Sequence, residues 1–331
     1  MSHVVVVGAG AWGCTFARVA ALAGAPVTLA CRTREQASVL GETRHDRAHL
    51  GDVALPDGVH VTHAGDPAAL DGARIVVIAM PSRVVADEAP SIAARMPGDA
   101  GLLSLTKGLE PGTGRVLSEV WRDALPAGTP FAVLSGPNHA EEIALGHPAA
   151  AVVSGDPALA ALVQGTVSGP AFRVYVNDDL VGVELCGAAK NVIALAAGMS
   201  DGLGFGDNAK AALITRGLAE ITRLGAAAGA RDATFRGLAG MGDLIATCTS
   251  RHSRNRRAGE LIARGMPAAD VEQEIGQVVE GLATVRSLVV RAGRAGVELP
   301  ISEQVAAAAF AGRPPAECLQ ALMGRAPATE A

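Results

Sequence analysis

Only three lysines occur in the 331 residues, Lys107, Lys190 and Lys210, and two of them stand where chemistry can be done. Lys107, in Ser104-Leu105-Thr106-Lys107-Gly108-Leu109-Glu110, follows a predicted strand end. That is the edge of a parallel sheet, where ligands collect. Lys190 lies in Glu184-Leu185-Cys186-Gly187-Ala188-Ala189-Lys190-Asn191-Val192-Ile193-Ala194-Leu195. Its neighbours at helical steps of three and four are Val183, Gly187, Ala194 and Ala197. Lysine is rarely buried without a partner, so an ammonium on this small apolar stripe faces a cleft; the blander reading is a lysine snorkelling at a domain edge.

A third feature is Gly240-Met241-Gly242-Asp243-Leu244-Ile245-Ala246-Thr247-Cys248-Thr249 followed by Ser250-Arg251-His252-Ser253-Arg254-Asn255-Arg256-Arg257. Four arginines fall in seven residues, with no acid between Asp243 and Glu260. Ser253 is placed to cap the helix that follows and make its N-terminus an anion site. Arg254 suits phosphate oxygens, while Arg256 and Arg257 read as a solvated helix face.

These groups need elements to hold them. Short apolar strands are predicted at His3–Gly8, Pro26–Cys31, Val59–Thr62, Arg74–Ala79, Gly101–Thr106, Phe131–Ser135 and Ala149–Ser154, alternating with helical runs such as Trp12–Ala23, Arg83–Arg95, Gly114–Ala124 and Asn138–Leu145. Strands that are apolar throughout, alternating with helices, predict a parallel α/β sheet covered on both faces. After Asn177 only Ala/Leu-rich helical segments follow, among them Leu180–Met199, Asn208–Gly229, Ser253–Ala263, Leu282–Ala295 and Ile301–Phe310. The expected fold is an α/β N-terminal Rossmann domain with a mostly parallel sheet (residues 1–178), followed by an all-α C-terminal domain (residues 179–331) that binds substrate and carries catalysis.

Gly8-Ala9-Gly10-Ala11-Trp12-Gly13 follows the first strand and opens a helix. In that context its glycines serve a tight turn, close approach of backbone to a pyrophosphate, and close packing of helix on strand. The helix N-terminus then holds phosphate through free N–H groups and its dipole. The second strand ends Ala30-Cys31-Arg32-Thr33-Arg34, without the acid that an NAD binder offers to the ribose 2′-hydroxyl. Arg32 and Arg34 suit a 2′-phosphate, with solvated surface arginines as the bland alternative. NADP, as NADPH, is therefore favoured as cofactor, and NAD is the other candidate.

Composition narrows the remaining classes. The chain is 49% apolar and 18% charged, with 3% aromatics, so its core rests on small and aliphatic side chains. A net charge of −5 argues against a general nucleic-acid binder. Five scattered cysteines (Cys14, Cys31, Cys186, Cys248, Cys318) with no CxxC predict neither disulfides nor a metal site. Met1-Ser2-His3 leads directly into a strand, and no uninterrupted apolar run approaches the roughly 18 residues of a membrane span, so a cytoplasmic protein is expected.

Several long motifs in order resemble the bacterial-type NAD(P)-dependent glycerol-3-phosphate dehydrogenase family over nearly the whole chain. They are Thr106-Lys107-Gly108-Leu109-Glu110, Ser135-Gly136-Pro137, Phe172-Arg173-Val174-Tyr175, Lys190-Asn191-Val192-Ile193-Ala194 and the run from Gly198 through Asp201 and Phe205 to Gly206. Ala211-Ala212-Leu213-Ile214-Thr215-Arg216-Gly217, Ser253-Arg254-Asn255-Arg256-Arg257 and Gly276-Gln277-Val278-Val279-Glu280-Gly281 complete the set. The resemblance implies reversible reduction of dihydroxyacetone phosphate to sn-glycerol 3-phosphate for phospholipid synthesis. It implies Lys190, Lys107 and Asp243 as catalytic residues, and a substrate site of Lys107, Gly136, Asn138, Lys190, Asn191, Asp243, Ser253, Arg254 and Asn255. Beyond Gly8, Gly10 and Gly13, it implies cofactor contacts from Ala11, Trp12, Arg32, Lys107, Ala140, Arg254, Val278 and Glu280. It is compatible with a homodimer. Asn138-His139 departs from the family's usual Ser or Thr followed by Phe, which leaves the role of Asn138 open; His139, a lone helical histidine, is set aside as a base. The rival readings are a ketopantoate-reductase-like enzyme with a catalytic lysine, which the arginine-rich segment disfavours, and a non-catalytic NADP sensor, which would need neither Lys107 nor Lys190.

Overall fold

Val4–Val7 and Ile75–Ile78 are buried at every position, which places both strands in the middle of a sheet covered on two faces. In the computed structural model, which describes residues 2–325, they are neighbouring interior strands of an eight-stranded sheet. The strands are β1 (Val4–Val7), β2 (Val27–Cys31), β3 (Val59–His63), β4 (Ile75–Ile78), β5 (Gly101–Ser104), β6 (Phe131–Ser135), β7 (Ala149–Gly155) and β8 (Phe172–Asn177). Their order is β3-β2-β1-β4-β5-β6-β7-β8, parallel throughout except between β6 and β7. Val7 sits in register with Ala30 and Ile78, so the turns after β1, β2 and β4 emerge together at one edge.

Around the sheet lie α1 (Ala11–Leu22), α2 (Arg34–Thr43), α3 (Arg47–Leu50), α4 (Ser82–Ala93), α5 (Leu117–Ala124), α6 (Ala140–Ala144) and α7 (Pro157–Val167). The second part is helical among the described residues: α8 (Leu180–Gly202), α9 (Asp207–Ala227), α10 (Asp232–Arg236), α11 (Asp243–Thr249) and α12 (Arg254–Ala263). It ends with α13 (Ala268–Ile275), α14 (Glu280–Arg294), α15 (Pro300–Phe310) and α16 (Pro315–Met323). The Rossmann-plus-helices reading holds, with additions. Sequence reading had no strand at β8, because on this edge strand only Phe172 and Val174 point inward while Arg173 and Tyr175 face solvent. It also passed over α7, whose start is marked by Asp156 accepting from Leu159 N at 2.9 Å and by Pro157 in the first turn.

The central helix α8 is apolar on all sides because other helices surround it, α9, α11, α12 and α14 among them. Its most apolar window has a mean hydropathy of 1.6, enough by length and composition to cross a membrane, yet 83% of that window is buried inside the protein. It starts where the Asp179 carboxylate accepts from Gly182 N (2.9 Å), Arg231 N (2.8 Å) and Thr234 Oγ1 (2.6 Å).

Two partly buried glutamates fasten the helices to the sheet layer. Glu184 on α8 accepts from Ser118 N at 2.8 Å and from Ser118 Oγ at the start of α5. Glu280, first residue of α14, accepts from Ser82 N (3.0 Å) and Ser82 Oγ (2.6 Å) at the start of α4. Each carboxylate caps a helix of the other layer, where the dipole favours negative charge. Burial nevertheless pushes Glu184 up to about 7 and raises Glu280 as well. A carboxyl raised on folding favours the folded state fully below its ordinary 4.5, and that contribution is lost as pH rises through about 7. Glu184→Gln can still accept from Ser118 N and donate to Ser118 Oγ. Its melting temperature should therefore rise relative to the parent between about pH 5 and pH 8. Parallel pH profiles for the two proteins would show that Glu184 does not titrate there.

Candidate active site

At the sheet edge after β1, Gly8 has φ +109°, and a Cβ there would lie 2.5 Å from the Ala79 carbonyl oxygen. Only glycine fits that conformation at that distance. A Cβ on Gly10, by contrast, would meet no protein atom within 4 Å. What that glycine keeps clear is the space before α1, where the N–H groups of Ala11 and Trp12 open the helix. Gly13 backs onto the Gly8 carbonyl. The Trp12 ring packs against Phe16 and Phe172 (centroids 6.1 and 6.3 Å), so what Trp12 can offer a ligand is its backbone. Arg32 is exposed at the end of β2 and pairs with no carboxylate among the described residues; Gln36 ties its N–H (3.3 Å) to the Ala9 carbonyl (2.8 Å). Ala140 is buried, its carbonyl accepting from Thr15 Oγ1 at 3.1 Å, which docks α6 on α1. A glycine turn, an open helix start and an exposed arginine at the second strand fit a nicotinamide dinucleotide, NAD or NADP.

Facing this edge, a single carboxylate holds both lysines. Asp243 is 2% exposed; its Oδ2 accepts from Lys107 Nζ at 2.7 Å and its Oδ1 from Lys190 Nζ. Lys107 also donates to the Gly136 carbonyl (2.8 Å), and Lys190 to Thr247 Oγ1 (2.8 Å), whose own hydroxyl donates to the Asp243 carbonyl (2.6 Å). Each ammonium, a three-hydrogen donor, thus keeps one hydrogen uncommitted. Burial first, and then Lys107, lower the Lys190 pKa to about 8, with Asp243 opposing them. Burial would raise Asp243, but the two ammonium groups outweigh it and hold it below the usual carboxylate range. Asp243 owes its position to a π-helical turn at Leu238–Gly242 that runs directly into α11; such turns recur at functional sites.

Most of the other expected residues gather around this cluster. Asn191 donates to the Lys107 carbonyl (3.3 Å) and accepts from Asn255 Nδ2 (2.9 Å), while Asn255 Oδ1 accepts from Gly281 N (2.8 Å). Asn255 therefore serves as a link between α8, α12 and α14, with one amide hydrogen left over. Ser253 caps α12, accepting from Arg256 N at 3.2 Å, as its position implied. Arg254 is exposed and touches Val278 O at 3.1 Å. Glu280 reaches the same edge, but Ser82 takes up both of its oxygens. Asn138 donates to Ala150 O (3.1 Å), and its Oδ1 is buried without a partner. His139 sits at a ring nitrogen-to-oxygen distance of 3.2 Å from the Ala246 carbonyl, and burial lowers its pKa. Because a carbonyl only accepts, that nitrogen carries the proton, and the ring links the start of α6 to α11.

One expectation is corrected. Arg256 is no solvated side chain: its Nε meets Asp201 Oδ2 at 2.7 Å and its Nη2 meets Glu260 Oε1 at 2.6 Å, whereas Arg257 is exposed. Thr247 was missed, although a hydroxyl four residues after Asp243 on a helix must share its face.

A Rossmann sheet whose glycine turn faces a buried Lys–Asp–Lys cluster on a helical second layer defines an NAD(P)-dependent oxidoreductase. The N-terminal model of NAD-dependent glycerol-3-phosphate dehydrogenase matches residues 3–160, and the C-terminal model matches residues 179–320. A glycerol-3-phosphate dehydrogenase of the NAD(P)+ type from Desulfitobacterium hafniense is 45% identical over 98% of this chain and 92% of its own. One from Thermus thermophilus is 47% identical over 99% of this chain and all of its own. The crystal structure of the Coxiella burnetii glycerol-3-phosphate dehydrogenase superposes with a TM-score of 0.94 at 34% identity, covering 98% of this chain and 99% of that one. The chain belongs to the NAD-dependent glycerol-3-phosphate dehydrogenase family.

Because Lys107 depresses Lys190, Lys107→Met should move the Lys190 titration upward from about 8. With only three lysines in the chain, side-chain ¹⁵N resonances can be followed individually. An unmoved midpoint would mean that burial, opposed by Asp243, sets the value without Lys107.

Proposed function

We propose that this chain catalyses the reversible NAD(P)H-dependent reduction of dihydroxyacetone phosphate to sn-glycerol 3-phosphate, supplying the backbone of phospholipids. The observation that carries the reading is Asp243 shared between Lys107 and Lys190, each keeping an uncommitted N–H beside the dinucleotide edge. In this reading residues 1–178 hold the cofactor, and residues 179–331 hold the substrate and most of the catalytic groups. The reduced nicotinamide, when bound, supplies a hydride to C2 of the ketone. Lys190, as ammonium, stabilises the charge growing on the C2 oxygen and gives it a proton. The resulting amine is recharged from solvent, which a pKa of about 8 allows near neutral pH. Lys107 fixes the same oxygen from the sheet side. Asp243 keeps both ammonium groups aimed without accepting the proton itself.

Arg254 and the start of α12 form the phosphate end. The N–H groups of Arg254 and Asn255 take no acceptor among the described residues, and the helix dipole favours an anion there. The buried free Oδ1 of Asn138 can accept from a substrate hydroxyl, which gives the unusual Asn138 a role. Arg32, exposed and without a carboxylate partner, supports NADPH over NADH. Five buried, unpaired cysteines suit the reducing cytoplasm.

Lys190→Ala should lower kcat by about 10²–10⁴, the usual contribution of a positioned acid, and leave cofactor affinity unchanged. The assay runs on dihydroxyacetone phosphate, with ketopantoate as the rival substrate. Turnover of ketopantoate alone would overturn the proposed reaction, and near-parental kcat in the variant would remove Lys190 from catalysis. Arg32→Asp should cost NADPH about 10- to 150-fold in kcat/KM, the equivalent of one charge-assisted contact, and spare NADH. A parent enzyme that uses NADH as well as NADPH would contradict the 2′-phosphate role.

A further inference from the structure

Asp201 lies on the same helix as Lys190, and its positional difference of about three turns returns it to the same face of α8, roughly 16 Å further along. There its carboxylate is 12% exposed and bridges two cations: Lys210 Nζ of α9 at 2.8 Å and Arg256 Nε of α12 at 2.7 Å. Arg256 is completed by Glu260 at 2.6 Å. None of these groups reaches the reacting centre. Arg256, however, comes directly after Arg254 and Asn255 in α12.

The seam between α8 and α12 has little tolerance. A Cβ on Gly198 would lie 1.8 Å from the Arg256 carbonyl oxygen, and one on Gly259 would lie 2.1 Å from that of Leu195. The two backbones are in contact, so a small shift of α12 is a shift of its whole first turn. Asn255 pins that turn toward Lys107 through Asn191. Arg254 is exposed and has one contact of its own, to Val278 O. Where its guanidinium stands is therefore decided by where α12 stands, and the ion pair that holds α12 from the far side is Asp201 with Arg256.

We propose that Asp201 is a positioning residue for the phosphate end of the substrate, acting through Arg256 to hold α12 where Arg254 meets the phosphate. The inference rests on the reading of Arg254 given under the proposed function. Without the carboxylate, Lys210 and Arg256 are two partly buried cations with only Glu260 between them, and the register of α12 on α8 loosens. Misplacement of a binding group by about 1 Å costs up to about 100-fold.

The test measures Asp201→Asn in the parent and in an Arg254→Ala background, with dihydroxyacetone phosphate and unphosphorylated dihydroxyacetone as substrates. In the parent, the KM for dihydroxyacetone phosphate should rise about 10- to 100-fold. The kcat and the kcat/KM for dihydroxyacetone should stay near parental values. In the Arg254→Ala background, Asp201→Asn should add no further loss, because the two changes act on one contact. Arg256→Gln, which removes the other partner, should reproduce the phosphate-selective loss, so the test survives if one variant does not fold. An unchanged KM, an equal loss for both substrates, or the same added loss in both backgrounds would overturn the role of Asp201 alone. An Arg254→Ala enzyme that loses both substrates equally would overturn the phosphate reading of Arg254 and the Asp201 proposal with it.

Discussion

The structure turns on one carboxylate. Asp243 is buried between two ammonium groups that come from different layers, Lys107 from the end of β5 and Lys190 from the middle of α8. An isolated buried carboxylate costs several kcal/mol, and an isolated buried ammonium costs a similar amount. Together they offset one another and leave a net positive site, which is what a developing oxyanion requires. The cluster exists only when sheet and helices are docked. Assembly of the fold and assembly of the reactive centre are therefore the same event.

The same device recurs away from the centre. Glu184 and Glu280 cap helices of the sheet layer, Asp179 caps α8, and Glu220 accepts from Ile301 N and from Ser302 N and Oγ at the start of α15. With aromatics at 3%, large rings do little of the packing. Helices instead approach closely over glycine and alanine, as α12 does on α8. Close approach leaves little room for water at the helix ends. Buried carboxylates then satisfy N–H groups that would otherwise be stranded.

Much of this was legible in the residues. The glycine turn, the sheet core of β1 and β4, the cap at Ser253 and the two unusual lysines each depend on a contiguous stretch, where spacing translates directly into geometry. Arg256 was misread because its partner, Asp201, lies on another helix. Strand β8 was passed over because an edge strand is half solvated and carries a weaker apolar signal. The pairing of Glu280 with Ser82 joins positions 198 apart, and no pattern in either neighbourhood announces the other.

The sequence by itself determined the first seven strands, the change to an all-helical second part, the dinucleotide turn and the identity of the groups that can carry charge, because backbone preference and helical periodicity are local properties. Tertiary structure alone decided that Lys190 is buried, with its pKa pushed down to about 8, that Asp243 serves both lysines and Thr247 completes the set, and that Asn255 is a link between helices. The physical reason is that charge states and hydrogen-bond partners follow from distance and desolvation, and both are fixed only when residues far apart in the chain are brought within about 3 Å of each other.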